Sequence, residues 1–167
     1  MKIEDSAKPM IHPTAIIYPN CEIHESAYIG PYCIIGAPPE DKKTFPDSGK
    51  GVVIQADAVL HGHVTVDAGT TQATEIMSGA WLMKGVHVGH DAWIGCNTVL
   101  SCHVLIGGWV EVNHYTNIGL GAAVHQRVKI PMRCMIGMNS TVIKNSEMKE
   151  GGKYAGSPIR YIGENRR

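Results

Sequence analysis

IMSGAWLMKGVHVGHDAWIGCNTVLSCHVLIGGWVEVNHYTNIGLGAAVHQRVKIPMRCMIGMNSTV, residues 76–142, carries an aliphatic residue at every sixth position in one register. The series runs Ile76, Leu82, Val88, Ile94, Leu100, Ile106, Val112, Ile118, Val124, Ile130, Ile136 and Val142, and it extends in spacing to Met148. Four residues after each aliphatic comes a small one, from Ala80, Val86, Ala92 and Thr98 to Cys134, Ser140, Ser146 and Gly152. Neither a helix nor an alternating strand has this period. A coil of short flat strands does, with one wedge pointing in and one small inward residue at each corner. Such repeats mark a parallel β-helix.

The register also appears earlier, as Ile11, Ile17, Ile23, Ile29 and Ile35, and as Ile54, Leu60 and Val66. Between the runs lie two stretches that shift it, Gly36–Val53 and Thr70–Glu75, both expected to leave the coil as loops. The division expected is a β-helix domain over 1–152 with a loop insertion at 36–53, then a short C-terminal tail over 153–167. The chain holds 18 Ile and 14 Val against 5 Leu and one Phe, which suits strands packed on many medium-sized wedges. Three hexads make one turn, so residues 18 apart should stack: Leu82 on Leu100, Ile118 and Ile136, and Val88 on Ile106, Val124 and Val142. At a spacing of roughly 4.8 Å per layer, about seven turns give a prism about 35 Å long.

With 167 residues and a net charge of zero, this is one domain with no basic run to hold nucleic acid. The start, MKIEDSAKPM, lacks an apolar signal core, and no stretch is apolar enough for a membrane span. The five cysteines lack metal-ligand spacing. Cys21, Cys33 and Cys134 fall in inward small slots, and the odd count reads as a reduced, cytoplasmic protein.

The chemistry is expected among the nine histidines, above all in His87-Val88-Gly89-His90-Asp91. Val88 is the inward wedge, so His87 and His90 flank it near a corner. Imidazole takes a proton near neutral pH, and a neighbouring carboxylate orients the ring and stabilises its cation. Gly108 lies one turn below His90 and Gln126 one turn further. A glycine there leaves a backbone N–H open beside the base, as an oxyanion hole requires. No Ser or Cys stands in this column, which favours direct transfer over a covalent intermediate.

LMKGVHVGHDAWIG, GGWVEVN and GLGAAVHQ together resemble the core of the bacterial UDP-N-acetylglucosamine O-acyltransferases of lipid A synthesis, and IHPTAIIYPNCEIHESAYIGPYCIIG resembles their opening coils. The resemblance implies a left-handed β-helix and a homotrimer with active sites between subunits. The implied reaction moves an acyl group from an acyl carrier protein or coenzyme A thioester to a hydroxyl or amine of a sugar nucleotide. No further cofactor and no metal are implied. Carried over, His90 is the general base, Asp91 its orienter and the Gly108 N–H the oxyanion donor. His87, His125 and Gln126 then touch the sugar or the thioester, and Asp41 and Lys43 of APPEDKK match substrate contacts. His90→Ala should abolish turnover, and Asp91→Asn should cost less. Met138 stands where long-chain members have a glycine, so a shorter acyl chain is expected.

Several features depart from that family. Coils are missing between Ile35 and Gly36, as is the helical C-terminal domain, and the chain ends on KYAGSPIRYIGENRR. Asp67 and Trp109 stand where the family has histidines. Two other readings share the coil. One is an acetyl-coenzyme A-dependent sugar acetyltransferase. The other is a γ-class carbonic anhydrase-like metalloenzyme using His61 and His63.

Overall fold

A computed structural model describes residues 10–47 and 49–166. Its described residues contain no helix; they form short strands on three faces of a triangular coil. The faces carry nine, seven and six strands. The first includes Trp81–Leu82, Val99–Leu100 and Asn117–Ile118, the second His87–Val88, Leu105–Ile106 and Ala123–Val124, and the third Trp93–Ile94, Glu111–Val112 and Lys129–Ile130.

The pairing has the expected register. Leu82 lies beside Leu100, Leu100 beside Ile118 and Ile118 beside Ile136, all parallel. Val88, Ile106, Val124 and Val142 stack likewise. The wedges from Ile76 to Val142 are all buried, and so are the small slots from Ala80 to Ser140. Each two-residue strand sends one side chain out and one in, so each turn puts three wedges, one from each face, into the core. Where a slot is polar, its hydroxyl finds a backbone partner, and Ser140 Oγ accepts the Gly156 N–H at 3.2 Å. Thr116 Oγ1 donates to Pro131 O at 3.0 Å and Thr98 Oγ1 to Asn113 O at 3.3 Å. A buried hydroxyl without such a partner is costly.

The corners add a second sixfold feature. One residue per corner takes a positive φ: Gly79, Gly85, Asp91, Asn97, His103, Trp109, Tyr115, Gly121, Arg127, Arg133, Asn139 and Asn145. Glycine, asparagine and aspartate enter this region most readily; the others give up about 1–2 kcal/mol each. Asp91, Trp109 and Arg127 occupy one such edge, following His90, Gly108 and Gln126.

Three boundaries differ from expectation. Gly36 and Ala37 belong to the strand Ile34–Ala37, and Val52 and Val53 to Val52–Ile54, so the first excursion spans 38–51 rather than 36–53. The second spans 68–73, because Thr74–Ile76 is already a strand. The run of sixfold strands is interrupted after Val142, since Met148 packs against the core but lies outside any strand and is only partly buried. The segment expected as a tail continues the coil. Gly152–Ala155 pairs in parallel with Met135–Ile136 and places Tyr154 beside Ile136, and Arg160–Glu164 folds back antiparallel to it. Tyr154 is buried and closes the end of the core.

Candidate active site

A groove of 470 Å³ runs along the second face to the corner that follows it. Its lining includes His87, His90, Gly108 and His125, together with Glu40 and Asp67. Leu105 and Ile143 add an apolar flank. The strands supply the outward residues, and the corners supply the groups nearest the rim.

His90 sits at a corner, with its side chain 14% exposed. Its Nδ1 lies 2.8 Å from Asp91 Oδ2. The opposite edge of the ring rests on Gly108, where a Cβ would come 2.7 Å from Nε2. The glycine is needed there for room, since its φ is not positive. Its carbonyl accepts from the Arg127 N–H at 2.8 Å, whereas the Gly108 N–H donates to no acceptor among the described residues. A ring nitrogen and an open backbone N–H thus share the rim of the groove. Trp109 packs edge-on against His90 with ring centroids 4.3 Å apart, and the Arg127 guanidinium lies 3.9 Å from the Trp109 centroid.

The excursion 68–73 closes around the carboxylate of Asp91. Thr70 donates its N–H and hydroxyl to Oδ2 at 2.8 and 2.7 Å. Thr71 donates its N–H and hydroxyl to Oδ1 at 2.8 and 2.7 Å, and the Gln72 N–H adds a bond at 3.0 Å. The loop can turn this tightly because a Cβ at Gly69 would overlap the Gln72 carbonyl. Burial alone would raise the carboxyl pKa. The bonds from Thr70, His90 and Thr71 outweigh it and hold the group well below the usual carboxylate range. Asp91 is therefore ionised whenever the protein is folded near neutral pH, and it fixes the His90 ring with its proton on Nδ1 and Nε2 free to accept one.

Asp67 and His87 form the other wall. The His87 Nδ1 lies 2.8 Å from Thr65 Oγ1, and its Nε2 is 3.9 Å from Asp67 Oδ2, too far for a hydrogen bond. The Asp67 side chain is 9% exposed and makes no hydrogen bond among the described residues. Burial pushes its pKa up to about 6, with His87 and His90 pulling it down and Glu40 pushing it up. The folded value lies above the unfolded one, so the stability this group confers is complete below about pH 4 and lost as the pH rises through about 6. Asp67→Asn should accordingly be more stable than the parent at pH 7, by about 2 kcal/mol, and equal to it near pH 4. Urea denaturation at the two pH values measures this; an equal offset at both would show that the carboxyl is not destabilised by burial.

The remaining candidates are placed unevenly. His125 lines the groove and donates from Nδ1 to the Gln126 carbonyl at 3.0 Å. Gln126 is exposed at the corner below Gly108, with its side chain outside the lining. Asp41 caps its own turn, accepting the Lys43 N–H at 3.2 Å, and Lys43 is exposed. Glu40, not Asp41, faces the groove. Met138 is 67% exposed on the edge between the first two faces, across from the His90 corner. His61 packs against Trp81 and His63 stacks on Tyr32, and no group of three or more His, Cys, Asp or Glu among the described residues is arranged to hold a metal ion.

No protein-family model matches the chain. It is 29% identical over 174 residues to the acyl-[acyl-carrier-protein]–UDP-N-acetylglucosamine O-acyltransferase of Burkholderia orbicola (strain MC0-3), covering 81% of this chain and 66% of that protein. The same enzyme of Burkholderia mallei (strain SAVP1) is 31% identical over 120 residues, covering 70% of this chain and 45% of that protein. Among solved structures, the UDP-N-acetylglucosamine O-acyltransferase of Moraxella catarrhalis RH4 superposes with a TM-score of 0.76 at 26% identity, covering 93% of this chain and 75% of that one. LpxA from Acinetobacter baumannii gives 0.75 at 25% identity, with 93% and 74% covered. The chain is similar to these acyltransferases in sequence and fold. It spans just under two thirds, 66%, of the length of the Burkholderia orbicola relative. The coil is the left-handed parallel β-helix of these neighbours. Among the described residues no helix is long and apolar enough to cross a membrane.

Proposed function

We infer that the protein is an acyltransferase that moves an acyl group from an acyl carrier protein thioester to a hydroxyl of a UDP-N-acetylglucosamine-like sugar nucleotide. The observation that carries this reading is the His90 ring, clamped by Asp91 on one side and resting on Gly108 on the other. His90 Nε2 takes the acceptor's proton as its oxygen attacks the thioester carbon. The negative charge that forms on the carbonyl oxygen meets the Gly108 N–H. The carbon–sulfur bond then breaks, and His90 returns the proton to the departing thiolate. A direct route is supported by the cysteines. Cys21, Cys33 and Cys134 pack inward with thiol pKa values raised by burial, and Cys96 and Cys102 lie outside the groove.

The reading includes a homotrimer. The third face is charged, with Glu22, Glu75, Glu111 and Lys129 outward and a 2.7 Å ion pair between the last two. The edge between the first two faces exposes Leu120 and Met138, with Trp81 and Leu105 exposed on the faces beside it. A coil that hides these against neighbours leaves the third face in water and closes the groove from its open side. The decisive experiment is a mass-spectrometric screen of acyl carrier protein and coenzyme A thioesters against a sugar-nucleotide panel. An acylated UDP-sugar formed from the carrier-protein thioester is expected; acetyl-coenzyme A as the sole donor would replace this reading with a sugar acetyltransferase.

Acyl length tests the placement of Met138. Lying on the intersubunit edge, its side chain fills space that the distal methylenes of a long acyl chain would need, each contributing about 0.8 kcal/mol when buried. Met138→Gly should shift kcat/KM toward longer thioesters. An unchanged chain-length profile would leave Met138 as packing between subunits.

A further inference from the structure

The edge that carries the base holds two large side chains that the acyl-transfer steps do not use. Trp109 directly follows Gly108, and Arg127 stands one coil further along the same edge. Trp109 takes a φ of 56° and Arg127 one of 63°. Bulky side chains rarely enter this region, and where they do the backbone strain usually serves a site. Other corners of the same coil make the turn with asparagine, at Asn97, Asn139 and Asn145, or with glycine, at Gly79, Gly85 and Gly121. The turn itself therefore does not call for an indole. What the indole does is local to His90. It packs at 84° to the imidazole with the centroids 4.3 Å apart, and the Trp109 backbone N–H donates to the His90 carbonyl at 2.9 Å. The Arg127 guanidinium lies 3.9 Å from the indole centroid, and its backbone N–H binds the Gly108 carbonyl at 2.8 Å. Neither residue belongs to the lining of the groove, so both reach the base from behind.

We propose that Trp109 is a positioning residue for the base and that Arg127 is its clamp. Together they hold the His90 ring on Gly108, so that Nε2 faces the groove and water does not reach it from behind. This rests on the acyl-transfer reading above and adds to it two residues that touch neither substrate. Asp91 fixes the ring at one atom, Nδ1, and a single hydrogen bond leaves the ring free to tilt about it. A packed aromatic wall removes that freedom. Gly108 gives the ring its floor, because a Cβ there would press on Nε2. Trp109 supplies the wall, and Arg127 keeps the wall in place by resting its cation on the indole. A base that must meet the acceptor's proton while the Gly108 N–H meets the carbonyl oxygen tolerates little displacement.

Trp109→Asn puts at this corner the residue that three other corners already use, so the coil should still fold. With an acyl carrier protein thioester and UDP-N-acetylglucosamine, its kcat should fall by about tenfold or more while both KM values stay near those of the parent. Trp109→Phe, which keeps a ring, should recover most of that loss. Arg127→Gln should cost less than Trp109→Asn, and Arg127→Lys less again, since an ammonium also rests on an indole. A parental kcat in Trp109→Asn, or a raised KM with kcat unchanged, overturns the proposal. A second readout needs no turnover: modification of His90 by diethyl pyrocarbonate, followed by peptide mass spectrometry. His90 should react several times faster in Trp109→Asn than in the parent, with Trp109→Phe close to the parent. Equal rates in all three would show that the indole neither covers nor holds the ring. Arg127→Gln, a change at an exposed side chain, carries both readouts with smaller shifts should the indole prove necessary for folding. A parent inactive with every thioester would end the acyl-transfer reading, and the reagent would still decide whether Trp109 holds His90.

Discussion

Replacing His90 by alanine should lower kcat by about 10² to 10⁴ while leaving the coil and its assembly in place. The side chain projects from a corner and contributes nothing to the aliphatic column, whose nearest wedge is Val88. Its losses are local: the contact with Trp109, the cover over Gly108 and one hydrogen bond to Asp91. The Gly108 N–H, proposed above as the oxyanion donor, remains in place, so a residual rate above background is expected. Light scattering should report the same mass as for the parent. A near-parental kcat with the preferred acceptor would mean that another group takes the proton, and His125, also on the groove, would be the first to examine.

How much of this was legible beforehand follows from what a sixfold repeat encodes. The wedges and small slots are chosen by burial alone, so Leu82, Leu100, Ile118 and Ile136 announce their stacking through spacing. The end of the coil was less visible. Gly152–Ala155 joins the first face in phase, 18 residues after Met135–Ile136, but the intervening Met148 forms no strand and the inward wedge is Tyr154, an aromatic where the run before it has aliphatics. At the site, the vertical relation of His90 to Gly108 is a consequence of the period. The excursions obey no period. Residues 70–72 look like an interruption in sequence, and only folding shows their N–H groups and hydroxyls converging on Asp91. The two threonines side by side were the available signal, since each offers a backbone and a side-chain donor. In APPEDKK the choice between Glu40 and Asp41 depends on how the loop turns. Asp41 spends its carboxylate on the Lys43 N–H, which leaves Glu40 for the groove. Asp67 drew attention as a departure from a family histidine, but its burial and lack of a partner are facts of packing.

Asp91→Asn is expected to damage the protein in two separable ways. In the parent each carboxylate oxygen serves three hydrogens: Oδ2 takes Thr70 N–H, the Thr70 hydroxyl and His90, and Oδ1 takes Thr71 N–H, the Thr71 hydroxyl and Gln72 N–H. An amide keeps one acceptor and turns the other into a donor. Whichever way it lies, the –NH₂ group faces backbone N–H donors that cannot rotate away. Several buried or part-buried donors lose their partner, at about 1–3 kcal/mol each, so a stability loss of about 3 kcal/mol or more is expected despite unchanged volume. The sign of the pH dependence follows from the depressed pKa of Asp91. Its contribution is complete above the ordinary carboxylate range and fades as the pH falls below it, so parent and variant should converge under strongly acidic conditions. Activity should fall as well, because His90 loses the acceptor that fixes its proton on Nδ1 and steadies its cation. The loss in kcat should stay below that of His90→Ala, since the ring itself remains. Denaturation curves at pH 7 that overlay those of the parent would show that the 68–73 loop does not depend on this carboxylate.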